Sequence, residues 1–195
     1  MPFSSSEGKG LFREWVLSFQ PHRVLDIGAG AGGYADIIRD VHKEYAKWYQ
    51  GDVIIDAVEI FEPYIERFKL REKYDQVMLN DVRNPFFLAS LGSYDLIVMG
   101  DVVEHIERNM MIEIWKALKF KAKFIWISLP VKMGSAGPWY AGYNQSPSEG
   151  DENAHELHVC DWDYQDLINT LGPFKWQAPF RVVVILMAEG QNVTP

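Results

Sequence analysis

Apolar residues recur along this chain with two periods, and the alternation between those periods predicts the fold. In Leu11-Phe-Arg-Glu-Trp-Val-Leu-Ser-Phe19, Phe12, Trp15, Val16 and Phe19 stand at i, i+3, i+4 and i+7, the spacing of an amphipathic helix, which Pro21 ends. Arg23-Val-Leu-Asp-Ile27 then reads as a short buried strand running into glycines, after which Tyr34, Ile37, Ile38, Val41 and Tyr45 return to helical spacing. Val53–Ile60 is a β-branched run that predicts a second strand, and Pro63 suits the first turn of the next helix. Gln76–Leu79 and Tyr94–Met99 predict the third and fourth strands, and a helix over Met111–Leu118 leads to a fifth at Phe124–Leu129. Near the end, Asp161–Leu171 has a helical pattern, and Phe174–Trp176 and Arg181–Ala188 are strands joined by a short turn. So short a link demands antiparallel strands, because a parallel crossover takes a dozen residues or more. The prediction is an α/β protein: a single doubly wound, mostly parallel sheet of seven strands, helices on both faces, ending in an antiparallel hairpin.

Composition narrows this picture without changing it. With 195 residues and no clear linker, the chain is expected to form one domain over 1–195, with tails at 1–10 and 189–195. Its 48% hydrophobic and 14% aromatic content exceeds what a disordered chain carries. The longest apolar runs are strand-sized, far below the roughly 20 residues of a spanning helix, so no membrane partner is expected. The N-terminus MPFSSSEGKG has no apolar signal core, and the single cysteine, Cys160, fits a reducing compartment. A cytoplasmic location is the expectation. A net charge of −8 opposes a phosphate backbone, and Lys116, Lys119, Lys121 and Lys123 read as a solvated surface, so nucleic acid is not an expected partner. Nothing in the sequence specifies an oligomeric state.

One segment breaks the alternation. Residues 130–157 form a long stretch rich in Gly, Pro and Ser in which Trp139, Tyr140 and Tyr143 are interleaved, and they read as a loop that shapes a substrate pocket. Two other patterns carry less. Asn192-Val-Thr194 has the glycosylation spacing but no secretion signal accompanies it. His155, His158, Cys160 and Asp161 lack a second ligand pair at a familiar spacing, so no metal is expected.

The chemistry concentrates in Val24-Leu-Asp-Ile-Gly-Ala-Gly-Ala-Gly-Gly-Tyr-Ala-Asp36, where Gly28, Gly30 and Gly33 form G-x-G-x-x-G between a strand and a helix. That motif alone admits the pyrophosphate of a dinucleotide. Asp26, two residues before Gly28, is expected to point a carboxylate into the same crevice, where it would repel phosphate. A ligand with a cationic centre, an ammonium group and a ribose would instead suit Asp26, Glu59 after the second strand and Asp81 after the third, with Asp101 and Glu104 after the fourth. The open α/β sheet binds its ligands at that end of the strands.

These stretches together resemble the class I S-adenosylmethionine-dependent methyltransferases. Val24–Gly30 resembles the first motif of that family, Asp56-Ala-Val-Glu-Ile60 the second, Asn80-Asp81-Val82 the adenine-contacting motif, and Tyr94–Ile106 the segment in which an acid, then Glu-His, closes over the methionine part. His158–Leu167 followed by Leu171-Gly-Pro-Phe174 is similar to a further family segment. The likeness covers roughly Leu11 to Ala188, but residues 43–51 stretch the first helix and its connection, and the loop from Pro130 to Asn153 has no counterpart. It implies S-adenosyl-L-methionine as cofactor, with S-adenosyl-L-homocysteine as product. It also implies a cofactor site of Asp26, Gly28, Ala29, Gly30, Glu59, Ile60, Asp81, Val82 and Asp101, in which Glu59 binds both ribose hydroxyls.

Methyl transfer from a sulfonium is an in-line displacement that needs alignment and exclusion of water more than a triad. A base serves only a protonated acceptor, and His105 and His158 are its candidates. The same residues admit a structural reading, with His105 orienting the helix after it and His158 bonded to loop backbone. His22 and His42 read as surface residues. An aromatic-rich loop and acidic surface favour a small-molecule acceptor methylated on O or N. Two other readings stay open at this level: an NAD(P)-dependent oxidoreductase using the glycine loop, and a non-catalytic protein that keeps the fold as a scaffold.

Overall fold

In the computed structural model, which describes residues 6, 8–49, 51–130, 153–179 and 183–191, the predicted alternation is present. Helix α1 (Lys9–Phe19) buries Phe12, Trp15 and Val16 and stops at Gln20, which adopts the left-handed region (φ 47) just before Pro21. Strand β1 (Arg23–Ile27) leads through the glycines into α2 (Gly33–Glu44), and β2 (Ile54–Glu59) follows. Two short helices, α3 (Glu62–Arg67) and α4 (Leu70–Lys73), precede β3 (Gln76–Leu79). A third, α5 (Pro85–Ser90), precedes β4 (Tyr94–Gly100). Helix α6 (Arg108–Leu118), β5 (Ala122–Pro130), α7 (Tyr164–Leu171), β6 (Trp176–Pro179) and β7 (Val183–Glu189) complete the chain.

The seven strands form one sheet in the order β3-β2-β1-β4-β5-β7-β6. Strands β1 to β5 are parallel, while β7 runs antiparallel to both β5 and β6. Period-two alternation gives the sheet two cores. Leu25, Ile27, Ile97, Met99, Ile125 and Ile127 point to one face, where Met111, Trp115 and Leu167 of α6 and α7 cover them. Val24, Leu96, Val98 and Trp126 point to the other, under Phe12, Val16, Ile38 and Val41 of α1 and α2. Burial on both faces is why these strands read as near-continuous apolar runs.

Several boundaries differ from the sequence reading. Helix α1 takes in Lys9 and Gly10, which the reading left in the tail; Pro130 belongs to β5, and Glu189 closes β7. Residues 154–156, assigned to the long loop, form a 3-10 turn capped by the Asn153 side chain. The final hairpin lies two residues later than expected, since β6 starts at Trp176 and β7 at Val183. Helices α4 and α5 span only 4 and 6 residues, too few to show a helical period. The remaining loop residues, with Trp139, Tyr140 and Tyr143, and the Asn192-Val-Thr194 motif lie outside the described residues.

Candidate functional site

The strand order reverses between β1 and β4, and a pocket opens there at the carboxyl ends of the strands. Its floor is the glycine loop. Gly28 and Ala29 donate their N–H groups to Val58 O (2.8 and 3.3 Å), folding the loop over the end of β2. Gly28 sits at φ +73, and a Cβ there would meet Val102 Cγ2 at 2.5 Å, so this position needs glycine twice over. Backbone therefore approaches whatever occupies the pocket more closely than a side chain would allow.

Glu59, at the end of β2, is 4% exposed and lines the pocket. Its Oε2 accepts the Gly30 amide (3.0 Å) and its Oε1 the Phe61 amide (2.9 Å). Burial pushes its carboxyl up and those amides pull it back. Each oxygen keeps a second lone pair, so Glu59 anchors the loop and can still accept from a ligand hydroxyl.

Asp26 is placed differently from the expectation. It is buried beneath the glycine loop, is not among the pocket-lining residues, and accepts from the Tyr74 hydroxyl at 2.5 Å. Its Oδ1 has no hydrogen-bond partner among the described residues. Burial raises its carboxyl to about 7, with the Glu59 charge adding to the rise. The reason is register. Alternation turns residues 24 and 26 toward the core under α1 and α2, which leaves Asp26 off the pocket lining.

The other expected cofactor residues, Gly28, Ala29, Gly30, Ile60, Asp81, Val82 and Asp101, all line the pocket. Asp81 is not a bare acid, for both of its oxygens take the Arg83 guanidinium (Nε at 2.9 Å to each), which holds its carboxyl below the usual range although burial opposes this. Asp101 occupies the left-handed region (φ 54), uncommon for a residue with a side chain, and its N–H donates to Ser128 O at 2.7 Å.

The opposite wall brings distant segments together. Val103–His105 forms a 3-10 turn after β4, and the Glu104 carbonyl accepts the amides of Val159 (3.0 Å) and Cys160 (3.1 Å). His105 lines the pocket, and its Nδ1 lies 3.1 Å from the Leu157 carbonyl. A carbonyl only accepts, so Nδ1 carries the proton and Nε2 keeps its lone pair in the neutral ring. Burial moves both His105 and His158 below the ordinary histidine range. His158 is not among the lining residues; its ring packs edge-on against His105 at 4.8 Å between centroids. The bond from His105 to loop backbone is the kind of contact that the structural reading assigned to His158.

Lys9, Tyr34, Tyr64, Asn153 and Glu156 also line the pocket; the sequence reading names none of them individually, although Asn153 and Glu156 fall in the loop expected to shape it. The Tyr64 hydroxyl donates to Glu156 Oε1 at 3.0 Å, joining α3 to the 3-10 turn at 154–156 across 92 residues of chain. A signal for that turn exists: Asn153 and Glu156 have the spacing of a capping box, and Asn153 Oδ1 does accept the His155 amide. Lys9 and Tyr64 leave no comparable trace, since only tertiary packing brings them over the glycines.

Among the described residues no helix is long and apolar enough to cross a membrane. No protein-family model and no curated protein sequence matches the chain. Solved structures do. The N-terminal domain of EvdMO1 with SAH bound superposes with a TM-score of 0.65 at 15% identity, over 96% of this chain and 83% of that one. An O-methyltransferase family protein from Burkholderia thailandensis gives 0.65 at 10% identity, over 95% of this chain and 55% of that one. PigF with SAH gives 0.63 at 16% identity, over 93% and 53%. At these identities the likeness is one of fold. Its basis is the sheet order with the reversed β7 and the pocket at the switch point: this chain has the Rossmann-like fold of the class I methyltransferases.

Proposed function

We propose that the protein transfers a methyl group from S-adenosylmethionine to an oxygen or nitrogen of a small molecule, by in-line displacement. The observation that carries this reading is the combination of strand order and pocket lining. In the dinucleotide-binding fold the strands run in the order 3-2-1-4-5-6 and are parallel, whereas here β7 is inserted antiparallel between β5 and β6. This topology separates the two readings better than repulsion by Asp26 does, since that carboxyl lies beneath the loop. The structures with SAH bound, although similar only in fold, support the same choice of cofactor.

The cofactor supplies an activated methyl group on a sulfonium, and the chain's residues fit it. Glycine backbone at φ +73 and +51 admits close approach of a methionine tail, with Lys9 at the mouth of the loop to meet a carboxylate. Glu59 offers its remaining lone pairs to ribose hydroxyls. Ile60 and Val82 supply apolar surface for a base, and the Asp81 and Arg83 pair lies beside them. The residues then align and exclude water, and burial of one face of the pocket by Tyr64, Asn153 and Glu156 serves that end. For an acceptor that arrives protonated, His105 Nε2 is the base within the pocket wall, and burial keeps that ring neutral at neutral pH. His158 would act only through His105. The aromatic residues Trp139, Tyr140 and Tyr143 remain part of the proposal as acceptor contacts.

Calorimetric titration with S-adenosylmethionine, S-adenosylhomocysteine and NAD tests the reading. Binding of the first two without NAD is expected, followed by methyl release over a panel of small hydroxyl and amine acceptors. Tight NAD binding with no response to the other two would overturn it.

A further inference from the structure

In the wall that holds His105, three potential ligands converge. One carboxylate oxygen of Glu104 and one ring nitrogen each of His105 and His158 all lie within 4.8 Å of one another. Glu104 is 2% exposed, and its Oε2 has no hydrogen-bond partner among the described residues. A carboxylate in that position is costly unless something charged or hydrogen-bonding meets it. We propose that Glu104, His105 and His158 form a binding site for a divalent transition-metal ion of the zinc type.

Two features of the local structure support that assignment. The bond from His105 Nδ1 to the Leu157 carbonyl at 3.1 Å leaves Nε2 as the unprotonated nitrogen, which is the arrangement found behind metal-bound histidines. His158 is held near Glu104 by the two amides that follow it in the chain, since Val159 and Cys160 both donate to the Glu104 carbonyl. The ligand that starts from β4 and the one that comes after β5 are thus fastened to each other before any ion arrives. Two imidazoles and one carboxylate are the donor set of zinc sites that keep an open position, and suit Mg²⁺ or Ca²⁺ poorly because those ions take oxygen donors.

His105 lines the pocket, so the ion would sit in its wall. An acceptor hydroxyl bound at an open position there would lose its proton more readily. That consequence rests on the proposed methyl transfer; the metal site itself does not. An ion on His105 Nε2 also takes the lone pair that a general base needs, so the two roles exclude each other.

The test uses untagged full-length protein freed of metal by chelator and dialysis. Zn²⁺ and Mg²⁺ are titrated calorimetrically, and Co²⁺ is followed by its visible absorption. One Zn²⁺ per chain, a Co²⁺ spectrum displaced by Zn²⁺, and weak or no Mg²⁺ binding are expected. Glu104→Gln and His158→Ala, each checked for folding by circular dichroism, should weaken Zn²⁺ by at least about tenfold. Should one variant fail to fold, the other and the wild-type Co²⁺ spectrum still decide. No Zn²⁺ or Co²⁺ binding by wild type, unchanged affinity in a folded variant, or preference for Mg²⁺ would each overturn the proposal. Titration with S-adenosylhomocysteine in the same samples reports separately on the methyltransferase reading.

Discussion

The two walls of the pocket are built by opposite means. On the glycine side, backbone does the shaping: Gly28, Ala29 and Gly30 fold over β2, and the carboxylates of Glu59, Asp81 and Asp101 line the pocket from the ends of strands. On the histidine side, side chains do the shaping, and they come from segments 52 residues apart, as in the bond from His105 to Leu157. The glycine wall carries an electrostatic cost, because Asp26 and Glu59 are buried carboxyls that burial pushes up, and the Glu59 charge pushes Asp26 further. The histidine wall depends on two long-range fastenings, Glu104 to Val159 and Cys160, and Tyr64 to Glu156. Precision in the first comes from conformation, and in the second from contact.

Variants that act on one wall alone would sharpen this contrast. The largest effect is expected at Asp26, whose carboxyl rises from the ordinary 3.8 to about 7 in the folded chain. Between about pH 4 and about pH 7 the unfolded chain has released this proton and the folded chain still holds it, so stability falls as pH rises through that window and levels off above it. The fall amounts to about 4 kcal/mol. Asp26→Asn cannot ionise and keeps an acceptor for Tyr74, so urea unfolding at both ends of the window should show the variant gaining on wild type as pH rises. A constant difference would show that the burial of Asp26 costs nothing.

Next in size is Glu59→Ala, which removes the acceptor for Gly30 and Phe61 and, on the proposed function, for the ribose hydroxyls. Affinity for S-adenosylhomocysteine should drop about 100-fold, or ~3 kcal/mol, by calorimetry. Unchanged affinity would place the ligand elsewhere. Gly100→Ala tests conformation at the end of β4: its Cβ would lie 2.1 Å from Tyr34 Cε2, in a ring whose hydroxyl is held by Ser128 at 2.8 Å. A loss of about 2 kcal/mol in urea unfolding is expected. The smallest change is expected on the histidine side, where Asn153→Ala removes the cap of the 3-10 turn and should cost about 1 kcal/mol. If Asn153→Ala exceeded Gly100→Ala, the histidine wall would be the more tightly determined of the two.

The contrast also explains what could be read in advance. The glycine wall was legible because each of its parts carries a local mark in the sequence: Gly28 to Gly33 follow β1, Glu59 ends a strand, and Asp81 and Asp101 come after theirs. Asp26 stands apart from them, off the pocket lining, because counting two residues back from Gly28 does not say on which face of the sheet that side chain falls. The histidine wall was legible only as loose candidates. His105 and His158 were named, but their contact, the carbonyl that selects the His105 tautomer and the arrival of Glu104 beside them depend on how the chain returns after β5. A search for metal ligands along the sequence grouped His158 with His155, Cys160 and Asp161. The structure groups it with Glu104 and His105 instead.

Local pattern thus determined most of what is periodic in this protein: seven strands, the flanking helices α1, α2, α6 and α7, the antiparallel hairpin and the glycine turn. Burial free energy acts on every second or every three to four residues, so the pattern that satisfies it is written in the chain itself. Tertiary structure alone decided which carboxylates line the pocket and which do not. It brought Lys9 and Tyr64 to the pocket, and it set three potential metal ligands within 4.8 Å of one another. Those arrangements depend on register and on contacts between segments far apart in sequence, and neither leaves a period that the sequence could display.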